Sequence, residues 1–255
     1  MRQQLRDTVT DFVLAWQLLT VVPLPISTGE TNRPAGPAAL FYPLVGLLLG
    51  GLLAASGELL FWLLPPGLAA AVLLALWVGL TGMLHLDGFM DSCDGLLPPR
   101  SPERRLEIMK DSRVGAFGVV GAVLLLLVKF NGLLALPAAG RWQVLLVAPL
   151  LARWALVWAM ARYPLARSQG MSNFFVSGLT GRRVILASVG TLLAATVLLG
   201  WRGLLLAALT GLVTWLLARF ALARIGGLTG DVYGAIAETV EAALLVAAAV
   251  LLAQP

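Results

Sequence analysis

Groups that titrate are scarce in this chain. One cysteine (Cys93) and one histidine (His85) occur in 255 residues, and only 12% of the residues are charged. A lone cysteine excludes an intrachain disulfide framework and a multi-cysteine metal site. No small-x-small cleavage site follows the apolar stretch behind Arg2 and Arg6. Asp7 and Asp11 interrupt that stretch and Pro23 and Pro25 follow it, so the N-terminus reads as retained rather than as a signal peptide. No linker or internal repeat divides the chain, and one membrane-embedded domain over 1–255 is expected. Soluble domains carry about a quarter charged residues. With 59% hydrophobic residues and a mean hydropathy of +0.90, a soluble globule is excluded. The net charge of +5 would suit nucleic acid. The basic residues, however, sit at the ends of apolar runs, so the expected partner is a lipid bilayer and not a nucleic acid.

A helix needs about 20 largely apolar residues to cross the hydrocarbon. The runs 38–62, 67–86, 115–136, 142–162, 184–200, 203–223 and 232–252 qualify. The fold class is therefore all-α: a polytopic membrane bundle of about seven spans. Residues 8–22 are short and carry Thr10, Asp11, Gln17 and Thr20, and they read equally as a spanning, interfacial or re-entrant helix. Pro65-Pro66-Gly67 and Leu136-Pro137 end helices, because proline lacks a donor and clashes with the preceding turn. With 87–114 placed on one side, the alternation gives that side Arg33, Arg100, Arg104, Arg105, Lys110, Arg113, Arg162, Arg167, Arg182, Arg183, Arg219 and Arg224. The other side receives Arg141 and Arg202, with Lys129 in the span leading to it. The crowded side is expected to face the cytoplasm.

The acids concentrate in three stretches. In His85-Leu86-Asp87-Gly88-Phe89-Met90-Asp91-Ser92-Cys93-Asp94-Gly95, the aspartates fall at i, i+4 and i+7. A helix continuing from the preceding span would put all three on one face. Like charges on one face repel, and a divalent cation offsets them most simply. Oxygen donors without partner thiols favour Mg²⁺ or Mn²⁺ over zinc. A solvated helix end paired with arginines is the plainer alternative, but it needs neither the single-face spacing nor the flanking glycines. Gly88 and Gly95 read as leaving room for a bulky ligand. His85 is a candidate general base or simply a hydrogen-bonded side chain, and Cys93, among acids, is a poor nucleophile.

Ser101-Pro102 opens a short cytoplasmic helix at about 101–111, with a capping serine and proline at the first helical position. Glu107 and Asp111 are again four apart, while Arg105, Lys110 and Arg113 offer phosphate-binding charge. Gly226-Gly227-Leu228-Thr229-Gly230 leads into a helix that carries Asp231, Glu238 and Glu241 on one face, and such a glycine-rich entry presents free N–H groups to anions. Lys129 and Arg153 lie inside spans and either pair with core acids or hold phosphate, with outward snorkelling a further alternative for Lys129. The loop 163–183, with Arg167, Ser172 and Asn173, is a basic polar surface on the same side.

Together HLDGFMDSCDG (85–95), RRLEIMKDSRVGAFG (104–118) and GGLTGDVYGAIAETVE (226–241) resemble the cobalamin synthase family, the adenosylcobinamide-GDP ribazoletransferases. LLTVVPLP (18–25) and FYPLVGLLLG (41–50) look like the family's N-terminal blocks, and Lys129, Arg153 and Ser172-Asn173-Phe174-Phe175 fall where it has similar residues. The resemblance implies a multi-pass enzyme of a prokaryotic inner membrane, with its active site facing the cytoplasm. Such an enzyme joins adenosylcobinamide-GDP to α-ribazole or its 5′-phosphate, releases GMP and uses Mg²⁺. It further implies that Asp87, Asp91, Asp94 and Asp111 hold one or two Mg²⁺ ions, and that one carboxylate or His85 accepts a proton. Lys110 and Arg113 would steady phosphate oxygens, and Asp231, Glu238 and Glu241 would complete the site or bind the second substrate. A homo-oligomer is compatible with this reading. Two rivals remain: a CDP-alcohol-type membrane phosphotransferase, which the missing Ala-Arg pair after Asp87-Gly88 disfavours, and a cation-coupled transporter, which the absent repeat disfavours.

Overall fold

Backbone polar groups cannot stay bare in lipid, so each apolar run closes its hydrogen bonds within itself. The computed structural model describes residues 2–26, 34–167 and 171–253. Arg33, counted above toward topology, lies outside the described residues, as does the side chain of Ser172. The helices are α1 (Arg2–Leu19), α2 (Tyr42–Leu63, entered through a 3-10 turn at Gly36–Phe41), α3 (Pro66–Leu80), α4 (Leu84–Leu96), α5 (Pro102–Ile108), α6 (Ala116–Ala135), α7 (Arg141–Arg162), α8 (Met171–Val176), α9 (Gly181–Leu199), α10 (Trp201–Ile225) and α11 (Gly230–Ala253). Among the described residues, six are long and apolar enough to span: α2 with its turn, α6, α7, α9, α10 and α11. α1 falls outside that set. Its Asp11 carboxylate lies 3.8 Å from the Arg183 guanidinium at the head of α9.

The expected straight span at 67–86 is corrected. α3 stops at Leu80, and α4 leaves it at 89°. Gly82 and Met83 both take φ of +60°, a left-handed conformation that is unusual for methionine and breaks the helical ladder. Thr81 turns its hydroxyl back onto the Trp77 and Val78 carbonyls, and Val21 N–H donates to Leu80 O at 2.9 Å, so the freed carbonyls keep partners. The carboxylates of α4 do share one short helix, but that helix does not continue the preceding span.

Glycines set the close approaches. A Cβ on Gly46 would strike the Pro149 backbone and one on Gly50 the Leu145 and Leu146 backbone, so α2 lies tight against α7. Gly88 likewise meets the Asp231 backbone, Gly234 meets His85 O and the Gly88 Cα, and Gly95 meets the Met109 side chain. The expectation that Gly95 makes room for a ligand is therefore corrected, since it makes room for the end of α5, whereas Gly88 makes room for α11 and also borders the cavity at that contact. Outward faces of α9 and α10 carry Ile185, Leu193, Val197, Leu212 and Leu216 in exposed positions, as lipid-facing surfaces do.

Gly234→Ala is expected to destabilise the protein by about 1–3 kcal/mol, because the methyl overpacks the α4–α11 contact. Gly190→Ala on α9, where an added Cβ meets nothing, should leave the thermal unfolding temperature unchanged or raised. Melting curves of the two variants in one detergent check this.

Candidate active site

Where α4 and α11 meet, a cavity of about 540 Å³ opens between the start of α2, the ends of α1 and α7, and the loops around 109, 167 and 228. Asp87, Lys110, Arg167 and Asp231 are the charged residues in its wall. The loops are tied across its rim. Leu165 and Leu228 form a parallel bridge, with Ala166 N–H donating to Leu228 O and Leu228 N–H to Pro164 O, each at 2.9 Å. Gly227 allows this, since any side chain there would enter the 165–166 backbone. Arg167 is held to Leu106 O by its guanidinium. Thr229 caps α11, its hydroxyl accepting from Val232 N–H at 3.3 Å and lying 3.1 Å from the Asp231 carboxylate.

The three α4 acids have different surroundings. Asp87 is exposed to the cavity, and Asp91, one turn on, is partly exposed. Neither has an ion-pair partner among the described residues. Asp231, Asp87 and Asp94 all stand within electrostatic reach of Asp91, so acids of α4 and α11 share one neighbourhood. Asp94 is buried and spoken for: its two oxygens accept from Gly115 N–H and Gly118 N–H, both at 2.8 Å, capping α6 from a neighbouring helix.

Arg105, expected to offer charge to phosphate, is corrected. It is buried and donates to Gly95 O at 3.0 Å, Leu96 O at 2.5 Å and Arg100 O at 2.9 Å. With Arg224, which donates to Leu96 O at 3.0 Å, it satisfies the last carbonyls of α4 and opposes the negative end of the helix dipole. The short helix itself forms as expected, with Ser101 accepting from Arg104 N–H at 3.4 Å. Asp111 is paired with Arg113 at 2.6 Å, and that guanidinium holds its carboxyl down at about 2. The pair is solvent-exposed and does not line the cavity. Lys110 alone of this segment's charges reaches the cavity. Among the described residues, no three His, Cys, Asp or Glu side chains stand close enough together to hold an ion as arranged. The donor chemistry of Asp87, Asp91 and Asp231 is nevertheless that of a hard divalent cation, oxygen only, and Asp87 and Asp231 are reachable from the cavity.

Behind the cavity lies a second charged cluster. Lys129 Nζ is 2.8 Å from Glu238 and 2.6 Å from Glu241. Arg153 also pairs with Glu241, and its other terminal nitrogen is 3.4 Å from His85 Nδ1. All five side chains are buried, and Lys129 also sits 4.8 Å from the Trp77 ring centroid. Of the five, only His85 also lines the cavity. Asn173, on α8, is exposed and away from the cavity wall.

Sequence reasoning left Tyr42, Tyr233, Thr229 and Arg167 out of the site. Nothing in an apolar run marks Tyr42 as a cavity residue, and Arg167 looks like any positive residue in a loop. The Leu165–Leu228 pairing brings that arginine into the same cavity wall as Asp231.

These features define a class: a polytopic helical membrane enzyme with a carboxylate-lined, basic-rimmed cavity at one end of its bundle, suited to transfer of a phosphorylated group. The cobalamin-5-phosphate synthase family model matches residues 11–249, and the chain belongs to that family. It is 40% identical to an adenosylcobinamide-GDP ribazoletransferase of Geotalea daltonii, over 90% of this chain and 93% of that one. Similar proteins of the same name occur in Desulfitobacterium hafniense, at 43% identity over 92% and 94%, and in Pseudomonas paraeruginosa, at 44% identity over 96% and 100%. No solved structure matches the chain.

Breaking the buried cluster strands a charge. Glu241→Gln should cost about 3–5 kcal/mol of stability, and Asp94→Ala about 1–3 kcal/mol through the two orphaned N–H groups. Asp87→Asn should leave the unfolding temperature within a degree or so of wild type. Thermal unfolding of the three variants side by side checks the separation between scaffold acids and cavity acids.

Proposed function

We propose that the protein is an adenosylcobinamide-GDP ribazoletransferase, joining adenosylcobinamide-GDP to α-ribazole or its 5′-phosphate and releasing GMP. The observation that carries the reading is the meeting of Asp87 on α4 and Asp231 on α11 in the wall of one cavity that Lys110 and Arg167 also line. A diphosphate needs cationic partners, and an attacking hydroxyl needs an acceptor for its proton. This wall offers both. A ribazole hydroxyl attacks the phosphorus that carries cobinamide, a new P–O bond forms, and the bond to the GMP oxygen breaks. Lys110 and Arg167 steady the phosphate oxygens, the latter held in place by its bond to Leu106 O. The hydroxyl proton passes to a cavity carboxylate, Asp87 being the exposed one.

Asp87, Asp91 and Asp231 are the residues that would hold Mg²⁺, which would supply neutralisation of the diphosphate charge. Asp94 and Asp111 have other partners in this structure and are left outside that set. Lys129, Arg153, Glu238 and Glu241 act from behind, through the placement of α11 and His85. The cavity end of the bundle carries Arg100, Arg104, Lys110, Arg113, Arg162 and Arg167, which supports a cytoplasm-facing site in a prokaryotic inner membrane.

Purified protein in lipid nanodiscs, given both substrates, should release GMP only with Mg²⁺. Asp87→Asn and Asp231→Asn are each expected to lower kcat by about 10²-fold or more. Wild-type rates in both variants, or product from CDP-diacylglycerol and none from adenosylcobinamide-GDP, would overturn the assignment.

A further inference from the structure

The cavity wall is chemically mixed. Beside Asp87, Lys110, Arg167 and Asp231 it carries apolar side chains, among them Leu18, Leu156, Met160 and Phe175, and two phenols, Tyr42 and Tyr233. Tyr42 is 1% exposed and Tyr233 6% exposed, and they are electrostatic neighbours. Neither hydroxyl has a hydrogen-bond partner among the described residues. Of the nine buried polar side-chain atoms left without a partner among the described residues, these two alone belong to residues of this cavity. Buried hydroxyls are nearly always satisfied in folded proteins, so a pair of orphans in one cavity wall points to partners that arrive with a ligand.

Size decides which ligand. A cavity of about 540 Å³ holds one compact molecule of drug-like size. Of the two substrates of the proposed reaction, the donor is a corrin macrocycle bearing an adenosyl group and a guanosine diphosphate, too large to enter whole. The acceptor is a single nucleoside with a flat aromatic base. The apolar side chains with two hydroxyls suit such a base, and the charged ones suit its sugar.

Resting on the reaction proposed above, we infer that the apolar part of the wall is the base subsite of the acceptor nucleoside. It takes a planar, largely apolar heteroaromatic ring, and binding turns the Tyr42 and Tyr233 hydroxyls toward the polar atoms of the nucleoside. The base lies against Leu156 and Met160, which presents the ribose hydroxyls to Asp87 and Asp231. The donor stays outside and inserts its diphosphate at the charged mouth. Tyr42 and Tyr233 are thus specificity-determining residues for the acceptor and touch nothing of the donor.

Tyr42→Phe and Tyr233→Phe remove one oxygen each and keep the packing. Each is expected to raise KM for α-ribazole about fivefold, while KM for adenosylcobinamide-GDP stays within twofold of wild type. Met160→Trp, which fills the apolar part, should abolish α-ribazole binding measured by calorimetry on the reconstituted protein and leave donor binding intact. An unchanged acceptor KM in both phenylalanine variants, a parallel rise in donor KM, or undiminished α-ribazole binding by Met160→Trp would overturn the subsite. If wild-type protein released no GMP, the reaction would fall. The calorimetric comparison of Tyr42→Phe and wild type with α-ribazole, which needs no turnover, would still test the subsite.

Discussion

A charge inside an apolar span has to be neutralised where it stands, and the arrangement of this protein follows from how it does so. Lys129 comes from α6, Arg153 from α7, and Glu238 and Glu241 from α11. Two cations and two anions close on one another, so the group carries no net formal charge. Moving any one helix would leave an unpaired ion in a medium that solvates it poorly. The cluster therefore fixes the depth and rotation of α11 against its neighbours. Arg153 extends it to His85, the second residue of α4. Asp231 is seven residues before Glu238 on the same helical face, so fixing α11 also fixes that carboxylate at the cavity.

α4 is the other half of the arrangement. Its departure from α3 through left-handed Gly82 and Met83 takes three aspartates off the line of a span and lays them across the end of the bundle. Once there, the helix is held at several points. Gly88 and Gly234 let it touch α11 backbone to backbone, Asp94 caps α6, and Arg105 and Arg224 hold its last carbonyls. Identical side chains thus acquire different work. Asp94 spends both oxygens on the scaffold, whereas Asp87 keeps its own for the cavity.

Much of this was legible in the residues. Hydropathy and proline placement located the six unbroken spans, because a bilayer leaves a helix few alternatives. The spacing of Asp87, Asp91 and Asp94, and of Asp231, Glu238 and Glu241, correctly put each set on one helix face. The break at 81–83 was not legible, since Thr-Gly-Met inside a long apolar run is compatible with an unbroken helix and nothing in a methionine announces a left-handed conformation. Residue type also could not separate the arginines. Arg105 and Lys110 are neighbours on one short segment, yet one faces the carbonyls of α4 and the other the cavity. Gly95 misled for a related reason: a missing side chain makes room for a ligand or for a neighbouring segment, and only the tertiary fold decides between them.

The claim on which the rest hangs is that acids from α4 and α11 form one divalent-cation site. Mn²⁺, which accepts the same hard oxygen donors, reports on it without turnover. Electron paramagnetic resonance of the reconstituted protein should show Mn²⁺ bound in the presence of GDP. That binding should be lost in both Asp87→Asn and Asp231→Asn and retained in Asp111→Asn. Equal Mn²⁺ binding by all three variants and wild type would contradict a shared α4–α11 centre.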